Sequence, residues 1–135
     1  MTNAAAISPR LSKEEALMLS GLQLAYVGDS VHHLMVRASL IRKPARVHEM
    51  HSRATERVKA SAQAKALERL LPLLTQEETD IVHRGRNAHP RHAAPKSATS
   101  GDYAGATGFE ALLGFLWLTG DTERLNTLFE LSQED

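Results

Sequence analysis

Residues 22–36 read LQLAYVGDSVHHLMV, a run that predicts a helix with apolar side chains on almost every side. A carboxylate, Asp29, stands in the middle of this run, directly after Gly28. An ionised carboxylate among Leu, Val and Met costs several kcal/mol unless a cation or a donor meets it. A glycine in a helix interior costs about 1 kcal/mol relative to alanine. Two adjacent penalties are typical of a functional site, although a helix cap or a core hydrogen bond would also explain Asp29.

The composition is that of a single globular domain. The chain has 135 residues, of which 42% are apolar and 24% charged. Alanine and leucine are abundant and aromatic residues scarce, which favours helices over strands. The absence of cysteine excludes disulfides, thiolate metal sites and a cysteine nucleophile, and it leads us to expect a cytoplasmic protein. No apolar run approaches the ~18 residues that a membrane-spanning helix needs.

The net charge of zero hides an uneven distribution of charge along the chain. Residues 37–96 carry thirteen basic and six acidic side chains, together with five of the seven histidines. Residues 1–36 carry two basic and three acidic side chains, and residues 97–135 carry one basic and seven acidic ones. A basic middle between acidic ends indicates a surface that faces a polyanion, although the solvated faces of several helices would give the same counts.

Two capping boxes mark helix starts. In this motif a Ser or Thr hydroxyl accepts from a backbone amide three residues on, and a Glu side chain at that position reaches back. Ser12 with Glu15 predicts a short helix, and Thr75 with Glu78 predicts a helix that continues through Val82.

Apolar residues at three- and four-residue spacing predict the other helices. No stretch shows the two-residue alternation of a strand, so the predicted fold class is all-α. We predict a flexible tail over residues 1–11 and one folded domain over residues 12–135. The first of these predicted helices runs from after Gly21 to about Leu40, and the next begins at about Arg46 and has Val47, Met50, Ala54 and Val58 on its apolar face. A third begins with a cap at Ser61 and has Ala64, Leu67, Leu70 and Leu71 on its apolar face. A fourth runs from Thr107 to Leu118, with Gly120 just beyond its end, and the last begins at Asp121 or Thr122 and has Leu125, Leu128, Phe129 and Leu131 on its apolar face.

The stretch from Arg84 to Gly101 interrupts this helical pattern. It combines Pro, His, Arg and Lys with small residues and has no apolar face to bury. We expect an exposed, mobile, cationic loop, which suits a phosphate backbone but would equally serve as a plain linker. His83, His89 and His92 are weak candidates for a metal site, because they lack cysteine partners and a fixed helical spacing.

A second apolar helix also carries a single carboxylate, Glu110. If Asp29 and Glu110 face each other, their like charges require a counter-charge or a shared proton. Oxygen ligands without cysteine suit a hard cation such as Mg²⁺ or Mn²⁺, and Mg²⁺ held by one or two carboxylates is typical of chemistry on phosphates. A protonated or hydrogen-bonded pair without metal would give the same sequence pattern.

Several motifs in this chain resemble those of one enzyme family. LAYVGDSV at residues 24–31 is similar to the signature helix of the ribonuclease III catalytic domain, and FEALLG at residues 109–114 is similar to its second acidic motif. Residues 51–65 and RGRNA at residues 84–88 resemble the Mini-III ribonucleases, which have this domain without a double-stranded-RNA-binding domain. The resemblance extends from about Leu19 to Leu131.

The resemblance implies an all-helical, ribonuclease III-like homodimer. It also implies cleavage of double-stranded RNA with Mg²⁺, for which Mn²⁺ is a possible substitute, in the stem of the large-subunit (23S) ribosomal RNA precursor, with a ribosomal protein as a candidate helper. Asp29 and Glu110 match the family's catalytic metal ligands. Ala25 and Thr107 occupy positions where full-length ribonuclease III has Glu and Asp, which leaves fewer charged ligands and puts a two-metal site in doubt.

Basic residues of the middle segment are the candidate RNA contacts, because double-stranded RNA is recognised mainly by shape, phosphate and 2′-hydroxyl contacts. Asn87 would either contact RNA or cap a turn. The predicted RNA-binding residues are Arg84, Arg86, Asn87, Arg91 and Lys96, with Arg53, Arg57 and Lys59 as further candidates.

Two other function classes are compatible with parts of the sequence. One is a non-catalytic protein of the same fold that binds structured RNA or assists ribosome assembly, which the presence of both Asp29 and Glu110 disfavours. The other is an all-α metal-dependent phosphohydrolase acting on nucleotides, which would not need the extended cationic stretch after Arg84.

Overall fold

The computed structural model describes residues 10–88 and 99–133, and these ranges contain seven α-helices and no strand. The all-α prediction is confirmed. A 3₁₀ turn, Leu71–Leu73, follows the fourth helix. The helices are α1 (Lys13–Leu17), α2 (Gly21–Leu40), α3 (Val47–Val58), α4 (Ala60–Leu70), α5 (Gln76–Asn87), α6 (Ser100–Leu118) and α7 (Thr122–Ser132).

Helix α6 is the centre of the domain, because α2, α4 and α5 all pack against it and α7 also contacts it. It is buried on nearly every side, and Phe109, Leu112 and Leu113 are fully inaccessible to solvent. An all-round apolar helix in a domain of this size has to be covered from several directions. The sequence pattern around Glu110 therefore reflects a central position in the bundle.

Two glycines allow α2 and α6 to approach closely. A Cβ atom at Gly28 would collide with the backbone carbonyl oxygen of Glu110, and one at Gly114 would collide with that of Leu24. Close packing thus offsets the free-energy cost of a glycine in the interior of α2. It also places the next residue, Asp29, beside Glu110 of α6.

The two predicted capping boxes are confirmed. Ser12 and Thr75 both form complete capping boxes, and a third box at Ser20 with Gln23 starts α2. Gly120 follows α6 with a φ of 76°, the left-handed conformation that ends helices, and Asp121 caps α7.

Three helix boundaries differ from the prediction. Helix α4 begins at Ala60 after Lys59, so Ser61 lies inside the helix and does not cap it. Helix α5 continues through Asn87, so the residues from Arg84 to Asn87 are its last turn and not part of a loop. The extension of α5 results from tertiary packing, because Gly85 is buried against α6, where a Cβ would come within 2.8 Å of the Gly108 Cα.

Helix α6 also begins earlier than predicted, at Ser100 instead of Thr107. Thr99 provides the cap by accepting a hydrogen bond from the amide of Asp102. The small residues between Ser100 and Thr107 look like loop sequence. They lie where α6 packs closely on α4, since a Cβ at Gly105 would meet Ala64 at 3.0 Å.

Three apolar residues assigned to buried faces are exposed instead. Val47, Leu71 and Leu131 lie at helix ends or on outer faces. The apolar spacing of the sequence extends to these positions, but no neighbouring helix in the described part of the chain covers them there. Leu11, within the predicted tail, donates its amide to the Leu118 carbonyl at 2.7 Å and packs against the core. Residues 1–9 lie outside the described part of the chain.

Within residues 10–88 and 99–133, no helix combines the length and the hydropathy that crossing a bilayer requires.

Candidate active site

The sequence pattern allowed Asp29 and Glu110 to face each other, and the crossing of α2 and α6 brings them together. The close contact of Gly28 with the Glu110 backbone fixes the two residues at the same level of the bundle. The two carboxyl groups lie close enough for their mutual interaction to raise the pKa of Glu110. Both groups line one surface cavity of about 430 Å³.

The two carboxylates differ in exposure. The Asp29 side chain is 57% exposed, so the expectation that it is buried is wrong. The reason is that Gly28, and not Asp29, occupies the face of α2 that packs against α6. Glu110, by contrast, is largely buried between α2, α4 and α6. One carboxylate is therefore accessible from solvent and the other is anchored in the protein.

Burial, followed by the hydrogen bond to Asp29 and the negative charge of Asp29, raises the pKa of Glu110 to about 8. The hydrogen bond from Gln63 opposes this shift by stabilising the carboxylate. At neutral pH the pair therefore holds a proton on Glu110. A cation placed between the two groups would provide the positive charge that the proton now provides.

The residues present fit a hard divalent cation. The observation behind this statement is geometric, because the Asp29 and Glu110 carboxylates line one cavity, where a positive charge between them would offset their mutual repulsion. In the described ranges no group of three or more His, Cys, Asp or Glu side chains could hold a metal ion. Two protein carboxylates with waters completing the shell is an ordinary arrangement for Mg²⁺.

A residue that the sequence analysis missed, Gln63, completes the surroundings of Glu110. Its side-chain nitrogen donates to Glu110 Oε2 at 3.2 Å and to the carbonyl of Val58 at 2.8 Å. Gln63 is only 3% exposed. A polar side chain on the buried stripe of a predicted amphipathic helix is the signal that could have identified it.

The cavity wall contains Ala25 and Thr107, the two positions at which full-length ribonuclease III has acidic residues. Ala25 is buried one turn before Asp29, and the Thr107 hydroxyl donates to the Tyr103 carbonyl within α6 at 2.9 Å. Neither supplies a charge to the site. The complete lining is Leu22, Ala25, Tyr26, Asp29, Val58, Ala60, Gln63, Tyr103, Ala106, Thr107 and Glu110.

Two histidines follow Asp29 on α2 and have different environments. His33 Nε2 lies 3.4 Å from Asp29 Oδ1, one helical turn away. His32 is fully buried, with its ring edge-to-face against Phe109 and Phe129. Burial, and secondarily the charge of His33, lower the pKa of His32 to about 4, whereas Asp29 acts in the opposite direction.

The buried His32 predicts a loss of stability on mild acidification. The unfolded chain binds a proton near pH 6.5 whereas the folded protein does so only near pH 4, so the free energy of unfolding falls as pH drops through this window. We expect a loss of roughly 2 kcal/mol between pH 7 and pH 5 from this group. Denaturant unfolding at the two pH values measures it.

The matched variants for that measurement are His32→Leu and His83→Gln. Protonation of Glu110 opposes this loss over the same pH range, so the contribution of His32 is obtained by comparing variants with wild type. Relative to wild type, His32→Leu should raise the free energy of unfolding at pH 5 compared with pH 7 by roughly 2 kcal/mol, whereas His83→Gln, on the exposed side of α5, should leave the pH dependence unchanged. An unchanged difference in His32→Leu would show that other groups cause the acid sensitivity.

The described residues predicted to bind RNA lie on α3, at Lys59 between α3 and α4, and on α5. Arg84 donates to the carbonyls of Leu17 and Leu19 at 2.7 and 3.0 Å, and thereby joins α5 to the turn between α1 and α2. Arg86 and Asn87 lie on the last turn of α5. Arg91, Lys96, His89 and His92 lie outside the described residues.

The α3–α4 region contains a second group of basic residues. Arg53 lies 3.7 Å from Glu49, and Lys59 pairs with Glu56 at 2.9 Å. Arg57 and Lys59 line a polar cavity of about 440 Å³. Lys65 and Arg69 of α4 line the same cavity, which places four basic residues around one depression.

Comparison with known proteins identifies the family. The ribonuclease III domain family matches residues 22–121. The chain is 45% identical over 119 residues to a Mini-ribonuclease 3 of Symbiobacterium thermophilum, which covers 87% of this chain and 91% of that protein. It is 46% identical over 123 residues to a Mini-ribonuclease 3 of a Thermoanaerobacter species, which covers 90% of this chain and 86% of that protein.

A solved structure shows the same fold. The crystal structure of a protein from Fusobacterium nucleatum superposes with a TM-score of 0.76 at 25% identity, covering 83% of this chain and 89% of that one. The matched family interval contains Asp29, Gln63 and Glu110. From these similarities and the paired carboxylates, the chain belongs to the Mini-ribonuclease 3 branch of the ribonuclease III family and is an endoribonuclease, a hydrolase of RNA phosphodiester bonds.

Proposed function

We propose that this protein cleaves double-stranded RNA with Mg²⁺, as a homodimer in the cytoplasm, and that its substrate is the stem of the large-subunit ribosomal RNA precursor. The observation that carries the proposal is the convergence of Asp29 and Glu110 in one solvent-accessible cavity. The choice of this RNA, and the help of a ribosomal protein, are predictions that rest on the family resemblance alone.

Asp29 and Glu110 have separate tasks in this proposal. Asp29 is exposed and would meet an incoming cation first, and Glu110, fixed in the bundle, would then release its proton to bind as a carboxylate. Asp29 and Glu110 would hold a Mg²⁺, which would supply polarisation of a phosphoryl oxygen and activation of a water nucleophile. Because Glu110 must lose a proton, metal affinity should rise with pH up to about pH 8.

Clustered positive charge supports RNA as the substrate. The polar cavity between α3 and α4 is lined by Arg57, Lys59, Lys65 and Arg69, and a phosphate chain is the ligand that uses several such groups at once. Val58 and Ala60, which flank Lys59, line the carboxylate cavity. The basic side chains therefore begin immediately beside the proposed cleavage site.

An exposed apolar face supports the homodimer. Tyr26 and Leu34 of α2 are 83% and 68% exposed, and they line an apolar cavity of about 540 Å³ together with Trp117. Asp29 lies on the rim of that cavity. A second copy covering this face would bury the apolar side chains and bring its own residues near the site.

Cleavage of a labelled RNA duplex, with and without Mg²⁺, tests the proposal. Cuts that require Mg²⁺ support it. Binding of the duplex without cuts would favour a non-catalytic RNA-binding protein of the same fold, and hydrolysis of nucleotides alone would favour a small-molecule phosphohydrolase. Light scattering of a mass near twice 14.8 kDa supports the dimer, whereas a monomer at micromolar concentration contradicts it.

Substitution of Arg86 should change the salt dependence of RNA binding. If the guanidinium contacts one phosphate, Arg86→Ala should reduce the slope of log affinity against log salt concentration by about 1 and leave metal binding unchanged. Arg84→Ala should reduce the slope similarly, and it should also lower the melting temperature because Leu17 and Leu19 lose their donor. An unchanged slope in both variants would exclude this end of α5 from the RNA interface.

A further inference from the structure

Helix α4 places a neutral amide between two acceptors on different helices. Gln63 Nε2 donates to Glu110 Oε2 on α6 and to the carbonyl of Val58, the last residue of α3. The side chain is almost completely buried, so it has no solvent-facing alternative. Two bonds from one nitrogen hold the amide in a single position.

The orientation of this amide is determined by its surroundings. The Val58 carbonyl, 2.8 Å from the nitrogen, can only accept, so a flipped amide would place its own oxygen against that carbonyl, and against the Glu110 carboxylate once Glu110 is ionised. In the adopted orientation Gln63 Oε1 is buried and has no donor in the described part of the chain. An unpaired buried acceptor is unfavourable, so the bonds that the nitrogen makes must determine where the side chain lies.

Glu110 needs such a partner because its other polar neighbour is acidic. Repulsion from Asp29 pushes an ionised Glu110 away from the point that both carboxylates must reach, and the nearby Ala25 and Thr107 provide no further ligand. A lysine or arginine at position 63 would hold Glu110 but would also compete with a cation. A neutral amide donates a hydrogen bond without adding charge.

We propose that Gln63 is a positioning residue of the site, whose amide holds the Glu110 carboxylate in the orientation that meets a divalent cation together with Asp29. This inference rests on the proposed function. Hydrogen-bond partners of metal ligands commonly tune affinity in this way, and their loss weakens metal binding by ~10–100-fold.

Measurement of Mn²⁺ binding in the absence of RNA tests the inference. Gln63→Met keeps a side chain of similar length but removes the donor, and we expect a Mn²⁺ dissociation constant about tenfold higher than in wild type. Gln76→Met is the matched control, because the Gln76 amide donates to Asp80 Oδ1 at 2.9 Å on the outer face of α5. This control should bind Mn²⁺ like wild type.

A double-mutant cycle shows whether Gln63 acts through Glu110. In a Glu110→Gln background, adding Gln63→Met should cause little further loss of Mn²⁺ affinity. In cleavage assays Gln63→Met should raise the Mg²⁺ concentration for half-maximal rate by the same factor and leave the KM for the duplex unchanged. Wild-type Mn²⁺ affinity in folded Gln63→Met, or full additivity in the cycle, overturns the inference.

Wild-type protein provides a measurement that does not depend on the variant folding. Titration with Mg²⁺ should shift the side-chain amide resonances of Gln63 and leave those of Gln76 in place, and an unmoved Gln63 amide overturns the inference. If wild type binds Mn²⁺ but cuts no duplex, the proposed function fails while the Mn²⁺ comparison still decides the role of Gln63. If duplex is cut and Gln63→Met binds Mn²⁺ normally, only the positioning role fails.

Discussion

Replacement of Asp29 by asparagine should reduce the rate of duplex cleavage by roughly 1,000-fold or more, which corresponds to about 4 kcal/mol of transition-state stabilisation. The physical reason is that Asp29 is the exposed member of the pair of carboxylates that the described residues bring into the cavity, so removal of its charge leaves Glu110 as the one remaining carboxylate of that pair. Single-turnover cleavage at saturating protein measures the loss. Duplex affinity, measured without Mg²⁺, should be unchanged or higher because a negative charge near the phosphates is removed.

The matched control is Asp80→Asn, which removes an exposed carboxylate of α5 outside the cavity. It should cut RNA like wild type. Glu110→Gln should be as inactive as Asp29→Asn yet at least as stable without metal, because it eliminates the need to hold a proton in a buried position. Substantial cleavage by either site variant would show that the catalytic ligands lie elsewhere in the chain.

Replacement of Gly28 by alanine should have the largest effect on stability. The added Cβ would collide with the Glu110 carbonyl oxygen, and backbone on both sides leaves no flexible side chain to move. Because α2 and α6 must separate to admit it, we expect a loss of about 3 kcal/mol or more and a melting temperature lower by roughly 10 °C. Thermal unfolding followed by circular dichroism measures both quantities.

Gly101→Ala provides the contrast within the same fold. A Cβ at Gly101 would meet only the Thr99 hydroxyl at 3.8 Å, which is ordinary contact, so this variant should be neutral or more stable by up to about 1 kcal/mol. Gly28→Ala that remains folded should still bind Mn²⁺ more weakly, since Asp29 moves away from Glu110. Equal stability of the two variants would contradict the close-packed crossing.

The helix ends that depend on local chemistry could be predicted from the sequence. Ser12 and Thr75 cap their helices because the residues that complete the hydrogen bonds are three positions away. The extensions of α5 through Asn87 and of α6 back to Ser100 could not be predicted in this way. Their glycines read as helix breakers, and only contact with a neighbouring helix shows that they are packing positions.

The sequence by itself determined the all-helical fold and the family, and it singled out Asp29 and Glu110 as candidate site residues, because helical periodicity, capping and motif spacing are properties of neighbouring residues. Only the tertiary structure decided that Asp29 is exposed while Glu110 holds a proton, since exposure and pKa depend on the helices packed around each group. It also brought Gln63 from α4 to Glu110, 47 residues along the chain, a contact that no local pattern encodes.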